Sequence, residues 1–225
     1  MMTDVSLRPV RTRLAAVALA WFFLAAGGAK AWPAENDARL TYTRVLKGSV
    51  PEYLSIRVDS QGKASYEGRG LEEPPAPHPF QLSMATTQQL FSLAEALNNF
   101  RGIELESHKR VANLGLKTLT YEGDGQKNQV EFNYTQQREA QLLMGLFERI
   151  ASVEQHILTL EHAMKYDHLS LPKELLQIQI DLDKRALADP ELLVPSLEKI
   201  ANNPRFLHLA QARAQTILQR LQNTN

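Results

Sequence analysis

The feature that most limits how this chain can fold is a stripe of apolar residues between positions 143 and 164. Seven of them recur three and four residues apart without a break: Leu143, Leu146, Ile150, Val153, Ile157, Leu160 and Met164. This spacing places all seven on one side of an α-helix, so it predicts a single continuous helix. We expect the helix to begin after Thr135 as its N-cap and to run to about Lys165, a length of roughly 45 Å at 1.5 Å per residue.

The stripe is compatible with two kinds of packing. Placed at heptad positions a and d, it would form a coiled-coil seam whose flanking residues Arg149 and Glu154 oppose each other as unlike charges in a parallel dimer. In a monomer, Glu154 is expected to lie on a solvated face. Phe147, Ala151 and Leu158 widen the apolar face beyond such a seam, which favours burial inside the helix's own fold. We therefore expect a monomer, in which the first half of the helix covers a sheet and the second half contacts the last helices.

The N-terminal residues 1–31 have the order of a secretory signal peptide. Three arginines precede an uncharged run of 16 residues, Leu14 to Ala29, and a small-x-small site ends at Ala31. We predict cleavage between Ala31 and Trp32, export to the periplasm or the medium, and a mature form that does not span a membrane. The alternative is an uncleaved segment that tethers the protein to a membrane, although a spanning helix needs about 20 apolar residues.

Composition excludes several classes of function. The 225 residues contain no cysteine, so neither a disulfide framework nor a thiol nucleophile is available. Residues 1–31 hold four basic residues and one acidic residue, which leaves 21 basic and 24 acidic residues and a net charge of −3 in the rest. Because no cluster of lysine and arginine remains, we expect no nucleic-acid partner.

Residues 40–134 have mainly the pattern of strands. LTYTRVLK and EYLSIRVD are followed by a turn at Ser60-Gln61-Gly62 and the strand KASYEG, and Asp124-Gly125 joins LGLKTLTYEG to QKNQVEFNY as a tight hairpin. The proline-rich LEEPPAPHPF is predicted to be a loop. A capping box at residues 86–89 is predicted to begin a short helix that Gly102 closes. Five tyrosines are expected on strands, where cross-strand packing explains them: Tyr42, Tyr53, Tyr66, Tyr121 and Tyr134.

The C-terminal residues 169–225 are predicted to be an all-helical extension. Residues 174–183 alternate like a strand and also align as a helix; their flanking residues and Ser170 as a cap favour the helix. Asp189-Pro190 and Asn203-Pro204 are predicted to begin two further helices, with Pro195 kinking or restarting the first. This part is similar to one unit of a helical-pair repeat.

These patterns together predict an α+β fold. It has an antiparallel sheet of five to six strands, one short and one long helix, and a helical extension. The predicted divisions are a signal peptide at 1–31, an α+β domain at 32–168 and the extension at 169–225.

The segment GSVPEYLSIRVDSQGKASYEG, followed by FQLSM, GLKTLTYEGDG and FNYT before a long helix, resembles a family of uncharacterised α+β domains of exported bacterial proteins. The family pattern is Gly-x-Cys-Pro-x-Tyr, a strand, Asp-Gly and Tyr-x-Gly. It is matched by Gly48, Pro51, Tyr53, Gly62, Tyr66 and Gly68, whereas Val50 stands in place of the cysteine. The resemblance covers about residues 40 to 160, implies a small α+β fold and assigns no catalytic residue.

No residue pattern predicts a catalytic, cofactor-binding or metal-binding site. His156 and His162 lie about 240° apart around their helix, so they do not face one metal ion and are expected on a solvated surface. Glu104 and Glu106 alternate and are expected to face solvent on a strand. The segment DLDKRALADPEL lacks the glycine and the glutamate of a calcium loop.

Two main hypotheses of function follow. The first is an exported, non-enzymatic module that binds another protein or an envelope component. The second is an enzyme, such as a hydrolase, whose site is assembled from scattered residues. A buried polar pocket with a strongly shifted Glu or His pKa would favour the enzyme, and an exposed apolar patch would favour the binding module.

Overall fold

The computed structural model describes residues 38–223, so the predicted signal peptide and its cleavage site lie outside the described residues. Six antiparallel strands form one sheet in the order β4-β3-β2-β1-β5-β6. The strands are β1 (Arg39–Val45), β2 (Tyr53–Asp59), β3 (Lys63–Arg69), β4 (His78–Gln81), β5 (Leu116–Gly123) and β6 (Gln126–Phe132).

Five α-helices accompany the sheet in the described part of the chain. They are α1 (Met84–Ala96), α2 (Arg138–Tyr166), α3 (Leu171–Asp183), α4 (Val194–Ala201) and α5 (His208–Gln222), with 3-10 turns at Asn98–Phe100 and Pro190–Leu193. The predicted α+β fold is confirmed, and so is the helical assignment of residues 174–183. Pro195 lies in the first turn of α4, where its missing N–H costs nothing, so it restarts the helix after the 3-10 turn.

The predicted hairpins are both present. Asp124 (φ 52°) and Gly125 (φ 70°) both have left-handed backbone conformations, as a two-residue primed turn between β5 and β6 requires. Gly62 (φ 81°) closes the turn between β2 and β3. Both turns fix the register of their strands and thereby determine which side chains face α2.

The long helix α2 belongs to two hydrophobic cores. Its first half, from Ala140 to Ala151, packs with the sheet and α1, and its second half, from Val153 to Ala163, packs with α3, α4 and α5. The stripe residues Leu146, Ile150 and Val153 are buried within the chain, which confirms the predicted internal packing. A helix with two cores explains why the stripe is longer than one small sheet needs.

Several helix starts differ from the predicted ones. The N-cap of α1 is Ser83, whose Oγ accepts a hydrogen bond from the Thr86 amide at 3.1 Å, so the capping box predicted at residues 86–89 is wrong. Thr135 does not cap α2. Its buried hydroxyl accepts from the Gln137 amide, and the helix begins three residues later, at Arg138.

Two residues predicted to cap the C-terminal helices form other hydrogen bonds instead. The Asp189 carboxylate accepts hydrogen bonds from Ser83 and Thr86, and so joins the C-terminal helices to the start of α1. Asn203 Oδ1 accepts from the Arg205 amide in a turn, and α5 begins only at His208.

Part of the proline-rich segment is a strand rather than a loop. His78–Gln81 pairs with β3 as the edge strand β4. An edge strand accommodates Pro79 because one of its sides needs no ladder hydrogen bonds. Glu104, Glu106 and Tyr134, in contrast, lie outside the strands, contrary to prediction.

Within residues 38–223, no helix is long and apolar enough to cross a membrane.

Candidate binding cleft

The sheet face beneath α2 carries a row of polar side chains. The strand registers align Tyr42 of β1 with Ile56 of β2, Ile56 with Tyr66 of β3, and Tyr66 with His78 of β4. Three of these four side chains have a polar group in a layer that would ordinarily be apolar. Such groups require partners when buried.

Glu148 of α2 binds the polar side chains of β1. It accepts a hydrogen bond from the Tyr42 hydroxyl at 2.6 Å and two from Arg44 Nη1, at 3.1 and 3.2 Å. Burial, together with the Glu148 charge, raises the pKa of Tyr42 well above its ordinary range. The Tyr42 hydroxyl therefore remains a donor, and these bonds attach α2 to the centre of the sheet.

Glu154 of α2 lies two turns further along and is fully buried, at 0 % exposure. Its Oε2 atom lies 3.0 Å from His78 Nδ1, whereas Oε1 has no hydrogen-bond partner among the described residues. Burial raises the pKa of Glu154, and the His78 contact acts in the opposite direction. The expectation that Glu154 occupies a solvated helix face is therefore wrong.

The Tyr66 hydroxyl forms no hydrogen bond with the described residues. The residue is 2 % exposed, but its hydroxyl is not among the fully buried atoms that lack a partner, so it remains accessible from the neighbouring cleft. Burial and, secondarily, the Glu154 charge raise the pKa of Tyr66 to about 12, so the hydroxyl is protonated at neutral pH. Gly68 follows on the same face of β3, where a Cβ atom would overlap the Tyr66 hydroxyl.

Tyr66 lies in the floor of a cleft with a volume of about 710 Å³, which we call the loop cleft. One wall is the loop 48–52 between β1 and β2, and a second is the end of β3 with the loop to Glu73. The third wall is one face of α2, with Gln155, Leu158, Thr159 and His162. The volume falls within the range of about 300–1,000 Å³ that is usual for ligand pockets.

Internal hydrogen bonds hold both loops of the cleft. Glu52 Oε1 accepts from the Gly48 amide at 2.7 Å, and Glu52 Oε2 accepts from the Leu71 amide at 3.2 Å, so one carboxylate joins the two loops. These two bonds lower the pKa of Glu52. Arg69 donates to Glu67 and to three carbonyl oxygens of the loop 70–73, and its guanidinium lies 4.4 Å from the Tyr53 ring centroid. The cleft is therefore formed before any ligand binds.

A second polar site joins α2 to α3. His156 is 8 % exposed, and its Nδ1 lies 2.5 Å from Glu174 Oε1 while its Nε2 lies 3.1 Å from Asp181 Oδ2. Burial by itself would lower the pKa of His156, but the two carboxylates outweigh it and raise the pKa. The prediction that His156 lies on a solvated surface is wrong, because α3 covers that side of α2.

The other side chains considered from the sequence do not meet in one site. His162 lines the loop cleft. His168, a further histidine just beyond the end of α2, contacts the Met164 carbonyl oxygen. Glu106 accepts a hydrogen bond from the Asn133 amide at 2.6 Å, which lowers its pKa. In residues 38–223 no group of three or more His, Asp or Glu side chains is arranged to hold a metal ion.

The sequence contained no direct signal for the loop cleft. The family pattern includes both Tyr66 and Gly68 but assigns them no site, and their place in the cleft floor depends on the register between β2 and β3. The available signal was the Tyr-x-Gly spacing, because two residues on one strand face allow a large side chain to extend over a glycine.

The fold and the cleft define an α+β protein with a pre-formed cleft at the end of the sheet where β1 leads into β2. No protein-family model matches the chain, and no curated protein matches it. The resemblance to exported bacterial domains therefore stays a prediction.

Proposed function

We propose that this protein is a non-enzymatic binding module that receives a segment of another protein in the loop cleft. The observation that carries the proposal is the Tyr66 hydroxyl, which lies in the cleft floor on a side chain that is 2 % exposed and forms no hydrogen bond with the described residues. A ligand group that reaches this hydroxyl through the cleft can supply the hydrogen bond that the described residues do not.

The rim of the cleft supports a macromolecular partner. Val50 is 90 % exposed at the tip of its loop, and Leu158 contributes a partly exposed side chain from the opposite wall. If a partner segment places an apolar side chain between Val50 and Leu158, both of these side chains are removed from water. Because the loops are held by Glu52 and Arg69, little ordering is needed on binding.

The enzyme hypothesis has one observation in its favour, since Glu154 and His156 are buried and have shifted pKa values. Two points weigh against it. Glu154, His78 and His156 are not among the residues that line the loop cleft. Ser152 lies beside His156 in a small pocket, but both ring nitrogens of His156 contact carboxylates, which leaves no nitrogen to take a proton from a serine.

Export belongs to the same proposal. We expect the module to act in the periplasm or outside the cell after cleavage before Trp32. The intact mass of the protein recovered from its native host tests this expectation. A mass that begins at residue 32 agrees with it, and a mass that retains residues 14–31 would support a membrane tether instead.

Photo-cross-linking tests the cleft as the binding site. A photoreactive amino acid at position 50 is expected to capture a partner protein that the same amino acid at position 209 does not capture. Leu209 is a suitable control because it is an exposed leucine on α5 and does not line the cleft.

The captured protein is then purified and titrated against wild type and Tyr66→Phe. Loss of one hydrogen bond, worth about 0.5–1.5 kcal/mol, predicts an affinity roughly twofold to twelvefold lower for Tyr66→Phe. Tyr166→Phe, at an exposed tyrosine outside the cleft, controls for loss of any phenolic hydroxyl. Equal affinity of wild type and Tyr66→Phe would overturn the proposal.

A further inference from the structure

The charges that line the loop cleft are not balanced. Its acidic side chains are Glu52 and Glu73, one from each loop. Arg69 is the arginine in the lining, but its guanidinium is bonded to Glu67 and to the carbonyl oxygens of Gly70, Leu71 and Glu73. The guanidinium of Arg69 is therefore occupied by contacts within the loop, and Glu67 balances its charge.

Both carboxylates retain their charge toward a ligand. Glu52 and Glu73 accept hydrogen bonds from backbone amides, which are neutral donors and leave the negative charge in place. Lys47, adjacent to the first loop, acts on Glu52 but is not part of the lining. The amides also lower the pKa of Glu52, so that carboxylate stays ionised in mildly acidic solution.

The floor of the cleft has the same polarity. The Tyr66 hydroxyl, which has no hydrogen bond to the described residues, offers oxygen lone pairs to the cleft, and the buried Glu154 carboxylate acts on it electrostatically. A hydroxyl oxygen in that position accepts a hydrogen bond from a cationic group more favourably than from a neutral donor.

The remaining lining suits the stem of a basic side chain. Pro51 and Val50 of the first loop and Leu158 of α2 contribute apolar surface to the lining. Lysine and arginine bury their methylene groups along such a surface while the charged end reaches acidic or hydroxyl groups. An acidic segment would place like charges together in the same space.

We propose that the partner segment is basic, with a lysine or arginine side chain inserted into the loop cleft. This inference rests on the proposed function. The cationic end contacts the Tyr66 hydroxyl and the Glu52 and Glu73 carboxylates. The main chain of the segment runs between the first loop and Gln155 and Thr159 of α2.

A pool of randomised decapeptides, selected for binding to the protein purified from its native host, tests this proposal. We expect lysine and arginine to be enriched at least threefold among the selected peptides. We also expect the affinity of the tightest peptide to fall at least tenfold between 50 and 500 mM salt, because its charges are screened. Glu73→Gln is expected to weaken that peptide at least threefold, whereas Glu131→Gln, on an edge strand outside the cleft, should not change its affinity.

Glu52→Gln serves as a second variant, and the melting temperature of each variant verifies that it is folded. Glu73→Gln leaves the Glu52 bonds between the loops intact, so it remains informative if Glu52→Gln loosens them. Selected peptides that bind the cleft, as judged by weaker binding to Tyr66→Phe, but show no basic enrichment would overturn this inference and leave the proposed function standing. Selection of no peptide, or of peptides indifferent to Tyr66→Phe, would overturn both.

Discussion

Glu154 is the residue at which the structure departs furthest from a simple amphipathic helix. Its carboxylate lies at 0 % exposure between α2 and the sheet, with His78 on one oxygen and no described partner on the other. A buried carboxylate that contacts a single imidazole contributes little net stability, because its desolvation offsets the gain from that contact. Its charge also acts on the neighbouring Tyr66 and contributes to the raised pKa of that hydroxyl.

Substitution of Glu154 by lysine is expected to be severe. A lysine there would bury an ammonium group against His78, so Glu154→Lys should lower the free energy of unfolding by about 3–5 kcal/mol. Glu161→Lys, on the exposed surface of the same helix, should change it by less than about 0.5 kcal/mol. Urea unfolding of both variants measures the difference, and similar small effects would contradict the burial of Glu154.

His156 predicts a pH-dependent contribution to stability. Because its native pKa is raised above the ordinary 6.5, the stabilisation is complete below about pH 6.5 and is lost as the pH rises through the native pKa. His156→Gln should therefore cost about 1.5–3 kcal/mol at pH 5.5, as expected for hydrogen bonds to charged groups, and less at pH 8.5. His162→Gln, an exposed histidine on α2, is the control. A cost for His156→Gln that is the same at both pH values would refute a charged His156.

At the scale of single elements, the β5–β6 hairpin depends on one glycine. Gly125 has a φ of 70°, and a Cβ atom placed there would meet no atom within 4 Å, so any penalty comes from the backbone. Gly125→Val should destabilise the protein by about 1 kcal/mol or more, because β-branched residues disfavour positive φ. Asp124→Asn should be nearly neutral, because asparagine also tolerates the positive φ of this position. Thermal unfolding compares the two, and a neutral Gly125→Val would contradict the turn geometry.

Helix α2 offers a test of internal packing. Ile150 is buried in the core between α2 and the sheet, so Ile150→Ala should cost about 2–5 kcal/mol. Leu142→Ala, at a position that is 51 % exposed on the same helix, should cost far less. The loss for Ile150→Ala should be the same at every protein concentration. A loss that depends on concentration would indicate that the stripe is a dimer seam.

The elements that were predicted correctly depend on short-range patterns. The α2 stripe, the Asp124-Gly125 turn and the helix over residues 174–183 each arise from residues within a few turns of one another. The capping box predicted at residues 86–89 is wrong because Ser83, three residues earlier, satisfies the same N-cap preference and is the residue that caps α1. The edge strand β4 was missed because Pro79 is disfavoured in a central strand and tolerated at an edge.

At the scale of the whole molecule, the candidate site was not predictable because it depends on long-range register. Tyr42, Tyr66 and His78 share a row only through three strand pairings, and Glu148 and Glu154 reach that row from a helix far along the chain. The carboxylates around His156 similarly come from a separate helix. Periodicity identifies which side of an element is buried, and the polar partners on that side depend on how the elements dock.

Amide hydrogen exchange on the complex with the partner captured from position 50 tests the central claim, that the loop cleft is the binding site. Binding there predicts slower exchange in residues 48–52 and 68–73, the two segments that form the cleft walls beside α2, with no change in the β5–β6 hairpin. Protection confined to the hairpin or to residues 204–209, with the two loops unchanged, would contradict the account.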